Sequence, residues 1–166
     1  KDYQENGILE YLQEMKAAGV VKHIGLSSHT PALARLVLDT GIVDQLMFSI
    51  NPAYDYQHGD YARGSASERM ELYRRCEAEG IGISVMKPYS GGQLLNKDTS
   101  PFGQALTTCQ CIQYALDKPG VLTVLPGVRS LEDVKEILGF LDAPESEKDY
   151  SVTGTFTPKD VSGAWV

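Results

Sequence analysis

Residues 20–37 read VVKHIGLSSHTPALARLV and contain the unit from which most of the chain is built. Residues 20–26 are largely apolar and β-branched, which predicts a strand. Residues 27–30 form a polar cluster that places a capping residue before Pro31, and proline is favoured at the first position of a helix. Residues 33–37 then carry apolar side chains at helical spacing. The stretch therefore predicts a strand followed by a helix.

Three further units repeat this plan along the chain. Their strands are predicted at residues 45–50, 81–86 and 121–125, and each is followed by a polar loop and a helical pattern. One more helical pattern, over residues 8–15, precedes the first unit. Strands separated by helices pair in parallel, because a parallel neighbour requires a crossover connection. The near-continuous apolar strands further predict a sheet that is covered on both faces or closed.

Two α/β architectures fit four such units in 166 residues. A complete (β/α)8 barrel takes roughly 250 residues, so the chain is either an open, doubly wound sheet or half of a barrel. Both architectures place ligands at the carboxyl ends of their strands, where this sequence has Ser27-Ser28-His29, Asn51, Lys87 and Arg129. No glycine-rich nucleotide motif is present, so anion binding is expected at a helix N-terminus near residues 127–130.

Composition excludes several classes of function. The chain has 15 Lys and Arg against 22 Asp and Glu, a net charge of −7, which argues against a nucleic-acid surface. Its apolar runs are much shorter than the roughly 20 residues of a membrane span. Three cysteines, an odd number, indicate a reducing compartment and hence the cytoplasm. Cys109 and Cys111 are two residues apart in a helical pattern and diverge, so we expect no metal site.

Four segments resemble the second half of an aldo/keto reductase. They are VKHIGLSSH at 21–29, GIGISVMKP at 80–88, LTTCQCIQYAL at 106–116 and LPGVRSLED at 125–133. The resemblance implies a (β/α)8 TIM barrel that reduces carbonyl substrates with NAD or NADP. This chain would supply strands five to eight as a half-barrel domain over residues 1–144, preceded by one helix, with an extended tail over residues 145–166.

The resemblance also implies cofactor-binding roles for particular positions. Ser27 and Ser28 correspond to the residues that hold the nicotinamide carboxamide in this family. Met47 stands where a glutamine commonly assists, and Met86 replaces the aromatic residue that stacks on the nicotinamide. Lys87 is expected to reach the pyrophosphate.

The remaining implied cofactor residues flank the third and fourth strands. In the last loop, Gly127 and Asp133 stand where many family members have cations that bind the 2′-phosphate of NADP, and Arg129 is the nearby cation. NAD is therefore at least as well suited as NADP. The other residues assigned to the cofactor are Pro88, Val128 and Glu136.

No catalytic residue is assigned within this chain. The catalytic Asp, Tyr, Lys and His of the family come from earlier strands and would precede Lys1, so we expect a truncated chain that is inactive alone. His29 is a weaker candidate for a replacement acid, and Tyr54, Tyr56 and Tyr61 are candidates for substrate contact. Residues 148–151 resemble a branch of the family that continues into a segment holding iron-sulfur clusters. The ligands of such a cluster are not expected within this sequence, so an iron-sulfur cluster would belong only to a longer parent protein.

Two alternative functions stay open at the level of sequence. A half-barrel leaves two unpaired strand edges and an uncovered inner face, so the chain would be a non-catalytic assembly module that forms a homo-oligomer. The other alternative is an independent, flavodoxin-like open-sheet binding domain. Strand order discriminates between a barrel segment and an open sheet, because only the open sheet requires a reversal.

Overall fold

A computed structural model describes residues 6–57, 59 and 61–154. The four strands are β1 (Gly25–Ser28), β2 (Gln45–Ser49), β3 (Gly82–Met86) and β4 (Val121–Leu125). The longer helices are α1 (Ile8–Ala17), α2 (Pro31–Leu38), α4 (Ala66–Glu79), α5 (Thr108–Leu116) and α6 (Leu131–Gly139). The four-residue helices are α3 (Pro52–Asp55), α7 (Glu145–Lys148) and α8 (Ser151–Gly154), and a 3₁₀ segment spans Ser90–Leu95.

The strands form one parallel sheet in the order β1-β2-β3-β4. Register pairs Ser27 with Met47, Met47 with Ser84, and Met86 with both Ser49 and Leu125. Parallel strands that alternate with helices and follow chain order are the pattern of a barrel segment, so the predicted α/β partial barrel is confirmed. The flavodoxin-like alternative is wrong, because the strand order contains no reversal. The sheet does not close into a barrel.

Local capping chemistry explains where several helices begin. Ser65 and Glu68 form the capping box that starts α4, and Thr107 and Gln110 form another that starts α5. The first strand is shorter than predicted, because the N–H groups of Val20 and Val21 donate to the carbonyl of Met15 and continue the C-terminal turn of α1. Residues 20–24 are therefore not part of β1.

The larger of two buried hydrophobic clusters lies on one face of the sheet. Leu46, Phe48, Ile83 and Val85 are fully buried there against the longer helices. Successive side chains of a strand alternate between the two faces of a sheet. The residues that alternate with these four therefore face the opposite side, which is called the inner face below. Leu122 lies on that inner face and is 76% exposed. The expectation of a sheet covered on both faces or closed is therefore wrong, because no described element packs over the inner face.

A buried polar network joins α3 to α4 and α5. One Asp55 carboxylate oxygen accepts hydrogen bonds from Arg69 Nε at 2.7 Å and the Tyr73 hydroxyl at 2.9 Å, and the other accepts from the Tyr114 hydroxyl at 2.7 Å. Arg69 also donates to the backbone carbonyl of Ser49, at the end of β2. The network fixes the loop after β2 against the helix layer, so its role in this fold is structural.

Residues 145–154 differ from the extended tail predicted for residues 145–166. They form α7 and α8, and they dock on α5 through hydrogen bonds from Gln110 Nε2 to the Asp149 carbonyl and from the Tyr150 hydroxyl to Asp117. These hydrogen bonds hold residues 145–154 in helical turns against α5. Hydrophobic periodicity in the sequence does not reveal such contacts. The rest of the predicted tail lies outside the described residues. In the part of the chain that is described, no helix has the length and apolar character needed to cross a membrane.

Candidate functional site

A cleft of about 380 Å³ opens at the carboxyl end of β3 and β4. It lies between the loop after β3 and the first turns of α6, with Thr108 of α5 also in its wall. The cleft brings together seven of the residues implicated by the sequence: Lys87, Pro88, Gly127, Val128, Arg129, Asp133 and Glu136.

Lys87 is held at the cleft by its own backbone. Its φ of 57° lies in the left-handed region, which non-glycine residues adopt rarely. Asn51 Nδ2 donates to the Lys87 carbonyl at 2.8 Å, and the N–H of Ser90 donates to the same carbonyl at 3.0 Å. The Lys87 ammonium lies over the ring of Tyr61, 4.3 Å from its centroid. These hydrogen bonds fix the backbone of Lys87, while its ammonium packs on Tyr61.

Gly91 and Gly92 form part of the same wall. Their φ values of 70° and 94° favour glycine, and a Cβ added at either position would have no other atom within 4 Å. The turn thus requires glycine for its backbone conformation and not for lack of space. It lets the chain line the cleft with backbone alone.

The opposite wall is the N-terminus of α6. Ser130 Oγ accepts the N–H of Asp133 at 3.1 Å, and Asp133 Oδ2 accepts the N–H of Arg129 at 2.8 Å. The hydrogen bond from the Arg129 backbone lowers the pKa of Asp133, so this carboxylate is ionised at neutral pH. The Arg129 side chain is 92% exposed, with its Nε 3.7 Å from Asp133 Oδ2. Glu136 follows one turn later.

Tyr89 is a cleft residue that sequence reasoning missed. Its side chain is only 7% exposed, and its buried hydroxyl has no hydrogen-bond partner among the described residues. Burial, reinforced by the nearby groups of Cys111 and Glu136, raises the pKa of Tyr89, so the hydroxyl stays protonated at neutral pH. Its position directly after Lys87-Pro88 at a strand end was the available sequence signal.

The predicted nicotinamide residues lie outside this cleft. Ser27, Met47 and Met86 belong to the inner face of the sheet, with Ser27 exposed and both methionines half-buried. Ser28 points to the other face, where it is buried and its Oγ accepts the N–H of Thr30 at 3.1 Å. The structure therefore separates Ser27 from Ser28, and it places Ser28 in the turn that precedes α2.

His29 and Tyr61 meet Lys87 at the same edge of the sheet. The His29 and Tyr61 rings are 4.4 Å apart, and His29 Nδ1 is buried without a hydrogen-bond partner among the described residues. Burial, together with the charges of Lys87 and Arg69, lowers the pKa of His29. The other two candidate substrate tyrosines are less accessible, because Tyr54 is buried in the core and Tyr56 packs on Phe102.

The cysteines do not form a metal site. Cys76 and Cys111 are buried, and desolvation raises the pKa of Cys76 to about 11 and that of Cys111 to about 12. Thiols with such pKa values are poor nucleophiles and poor metal ligands at neutral pH. Among the described residues, no group of three or more His, Cys, Asp or Glu side chains is placed to bind a metal ion.

The cleft lies at the carboxyl ends of parallel strands, which is where α/β sheets place their ligand sites. The family model of the aldo/keto reductases matches residues 2–108, more than half of the chain. The chain belongs to the aldo/keto reductase family, a family of oxidoreductases that typically use NAD(P)H. The match ends at the start of α5, so β4 and α6 lie outside it. A comparison with individual curated proteins finds no match.

Proposed function

We propose that this chain is the cofactor-binding half of an NAD(P)-dependent aldo/keto reductase that acts on a small carbonyl substrate. The supporting observation is that seven residues implicated by family resemblance converge on one cleft. Lys87 and Arg129 would bind the pyrophosphate, and Ser27, Met47 and Met86 would face the nicotinamide. A bound nicotinamide supplies or accepts a hydride in this chemistry.

The chain's own residues would bind and orient the cofactor. The backbone of Lys87 is anchored by Asn51, and its ammonium, which packs on the Tyr61 ring, would turn toward the cofactor on binding. Tyr89 would contribute to the cleft wall through its ring, since its hydroxyl is fully buried. Hydride transfer to a carbonyl also requires an acid to protonate the developing alkoxide. In this proposal the family's Asp, Tyr, Lys and His set lies on strands one to four, outside these residues.

Further parts of the proposal concern the parent protein. Residues 1–144 would form strands five to eight with their helices. The parent would be a cytoplasmic enzyme of the branch that carries iron-sulfur clusters. These assignments follow from resemblance at residues 148–151 and from the three unpaired cysteines.

Binding and turnover can be measured separately on the purified chain. We expect NADH and NADPH titrations, followed by nicotinamide fluorescence, to show weak saturable binding that Lys87→Gln reduces about tenfold. Lys97→Gln is the matched control, because Lys97 is exposed in a nearby loop outside the cleft. Absence of binding, or equal loss in both variants, contradicts the cofactor proposal.

The same preparation tests whether this chain lacks the proton donor. We expect no oxidation of NADH or NADPH with simple aldehydes, and turnover only in a protein that includes the four preceding strands. Measurable turnover by the 166-residue chain contradicts this part of the proposal. Tyr61→Phe would then show whether the Tyr61, His29 and Lys87 group supplies the proton.

The open inner face supports a second proposal, self-association. Leu122 and Leu125 on that face are 76% and 46% exposed, and Leu36 beside the β1 edge is 61% exposed. Exposed apolar surface of this kind is typical of association surfaces. We expect light scattering to show an oligomer that Leu122→Asn dissociates. A monomer at micromolar concentration contradicts the proposal.

A further inference from the structure

The Lys87 ammonium is in contact with a residue that lies outside the cleft. Its Nζ is 4.3 Å from the centroid of the Tyr61 ring, and Tyr61 is not among the described residues that line the cleft. The Tyr61 ring packs in turn on His29, with the two ring centroids 4.4 Å apart. His29 follows β1, Tyr61 lies in the loop after β2, and Lys87 follows β3. The three side chains therefore form one series of contacts across three neighbouring strand ends.

The Tyr61 ring is an electrostatic partner of the Lys87 ammonium. The face of an aromatic ring is electron-rich and attracts a cation. None of the ion pairs between described residues involves Lys87. Burial and the charges of Lys87 and Arg69 lower the pKa of His29, so its imidazole is mostly neutral at neutral pH and repels the ammonium little. The contact with Tyr61 therefore stabilises this position of the cation.

A ligand in the cleft must draw the ammonium away from this ring. The backbone of Lys87 is fixed, because its carbonyl accepts hydrogen bonds from Asn51 Nδ2 at 2.8 Å and from the Ser90 N–H at 3.0 Å. Only rotation about the side-chain bonds can therefore carry the ammonium from Tyr61 to the cleft. A ligand that recruits the cation first breaks the cation–π contact, so the free energy of that contact lowers the measured affinity.

We propose that Tyr61 is a positioning residue that holds the Lys87 ammonium away from the cleft until a pyrophosphate-bearing ligand displaces it, and that this contact weakens cofactor binding. The inference rests on the proposed cofactor function of the same cleft. It assigns Tyr61 a role that opposes binding, so that loss of its ring increases the affinity of the chain for the ligand.

The test uses the full 166-residue chain and ADP-ribose, which carries the cofactor pyrophosphate without the nicotinamide. In calorimetric titrations we expect Tyr61→Leu to bind ADP-ribose about threefold more tightly than the wild type, because leucine has no ring face to hold the ammonium. Tyr61→Phe keeps the ring and should retain the wild-type affinity. Tyr11→Leu is the matched control, since Tyr11 is an exposed tyrosine of α1 that does not line the cleft.

Two further measurements show whether Tyr61 acts through Lys87. In a Lys87→Gln background the cation is absent, so Tyr61→Leu should leave the remaining affinity unchanged. In the wild type, the methylene protons beside the Lys87 ammonium lie near the ring face and should resonate upfield in the NMR spectrum of the free chain. They should move downfield as ADP-ribose saturates the chain.

Several results overturn the inference while the cofactor proposal stands. They are unchanged or weaker binding by Tyr61→Leu, an equal gain in Tyr61→Phe or Tyr11→Leu, an equal gain in the Lys87→Gln background, and Lys87 protons that stay upfield at saturation. Failure of ADP-ribose to bind the wild type and every variant overturns the cofactor proposal, and the inference with it.

Discussion

The two faces of the sheet differ although the same strands build both. On the helix side, Leu46, Phe48, Ile83 and Val85 are fully buried, and the Asp55 network ties the neighbouring helices together. On the inner side, Gln45 is exposed and Leu122 is 76% exposed. Burial of apolar surface is the main favourable term in folding. Most of the sheet's buried apolar surface therefore lies on the helix side, while the inner face and the carboxyl edge hold the candidate binding residues.

The largest expected effect is the loss of the buried ion pair on the helix side. Arg69→Met leaves the Asp55 carboxylate without its cation and removes the bond to Ser49, so the free energy of unfolding should fall by about 3–5 kcal/mol. Arg74→Met, on the exposed side of the same helix, should change it by less than about 0.5 kcal/mol. Urea denaturation measures both. Similar values for the two variants would show that the network does not stabilise the fold.

Leu46 and Met47 are adjacent in β2 but face opposite sides of the sheet, so their substitutions compare how much each face contributes to stability. Leu46→Ala opens a cavity in the helix-side core and should destabilise the chain by about 3 kcal/mol. Met47→Ala lies on the inner face, and its cost should be below about 1 kcal/mol because the side chain is already partly in contact with solvent. Denaturant midpoints of the two variants give the difference. If Met47→Ala costs as much as Leu46→Ala, the inner face is covered in solution.

The Tyr89 hydroxyl should affect stability but not cofactor binding. Tyr89→Phe removes a buried hydroxyl that has no partner among the described residues, so the free energy of unfolding should rise by about 1 kcal/mol. The same change should leave NADH binding unchanged, because the hydroxyl is fully buried and cannot contact a ligand in the cleft. Tyr11→Phe, on exposed α1, should change neither quantity. A loss of stability in Tyr89→Phe would mean that the hydroxyl is already satisfied.

The smallest expected effect is a dependence of stability on pH. Because the pKa of His29 is lowered in the folded state, the unfolded chain binds a proton first as the pH falls below about 6.5. The melting temperature should therefore decrease from about pH 7.5 to about pH 5.5, and His29→Asn should reduce that decrease. An unchanged slope in His29→Asn would assign the dependence to other groups.

The fold was predictable where local signals are strong. The Ser65 and Glu68 capping box, the alternation of strands with helices, and the strand at residues 121–125 follow from short-range patterns that the structure reproduces. The position of Ser28 was not predictable from the sequence. A Ser-Ser pair at a strand end does not reveal which of the two hydroxyls will accept a hydrogen bond from a backbone N–H of the following turn. Short-range sequence therefore located the carboxyl edge but not the side chains that face it.

The buried network shows a second limit. Asp55 lies in a stretch that reads as a polar surface loop, yet all four residues of α3 are buried. Its partners are 14, 18 and 59 residues away along the chain. Pairings at such separations depend on how helices pack on the sheet, which no local pattern encodes. Tyr89 was missed for the same reason, since only tertiary packing buries its hydroxyl.

The most direct test of the central claim is amide chemical-shift mapping of the chain during titration with NAD⁺. A cofactor half-barrel predicts shifts at the cleft, at Lys87, Gly91, Gly92 and Arg129, with little change at core residues of the helix side such as Leu72. Shifts confined to other surfaces, or none at millimolar NAD⁺, would contradict the claim that this edge of the sheet binds the cofactor.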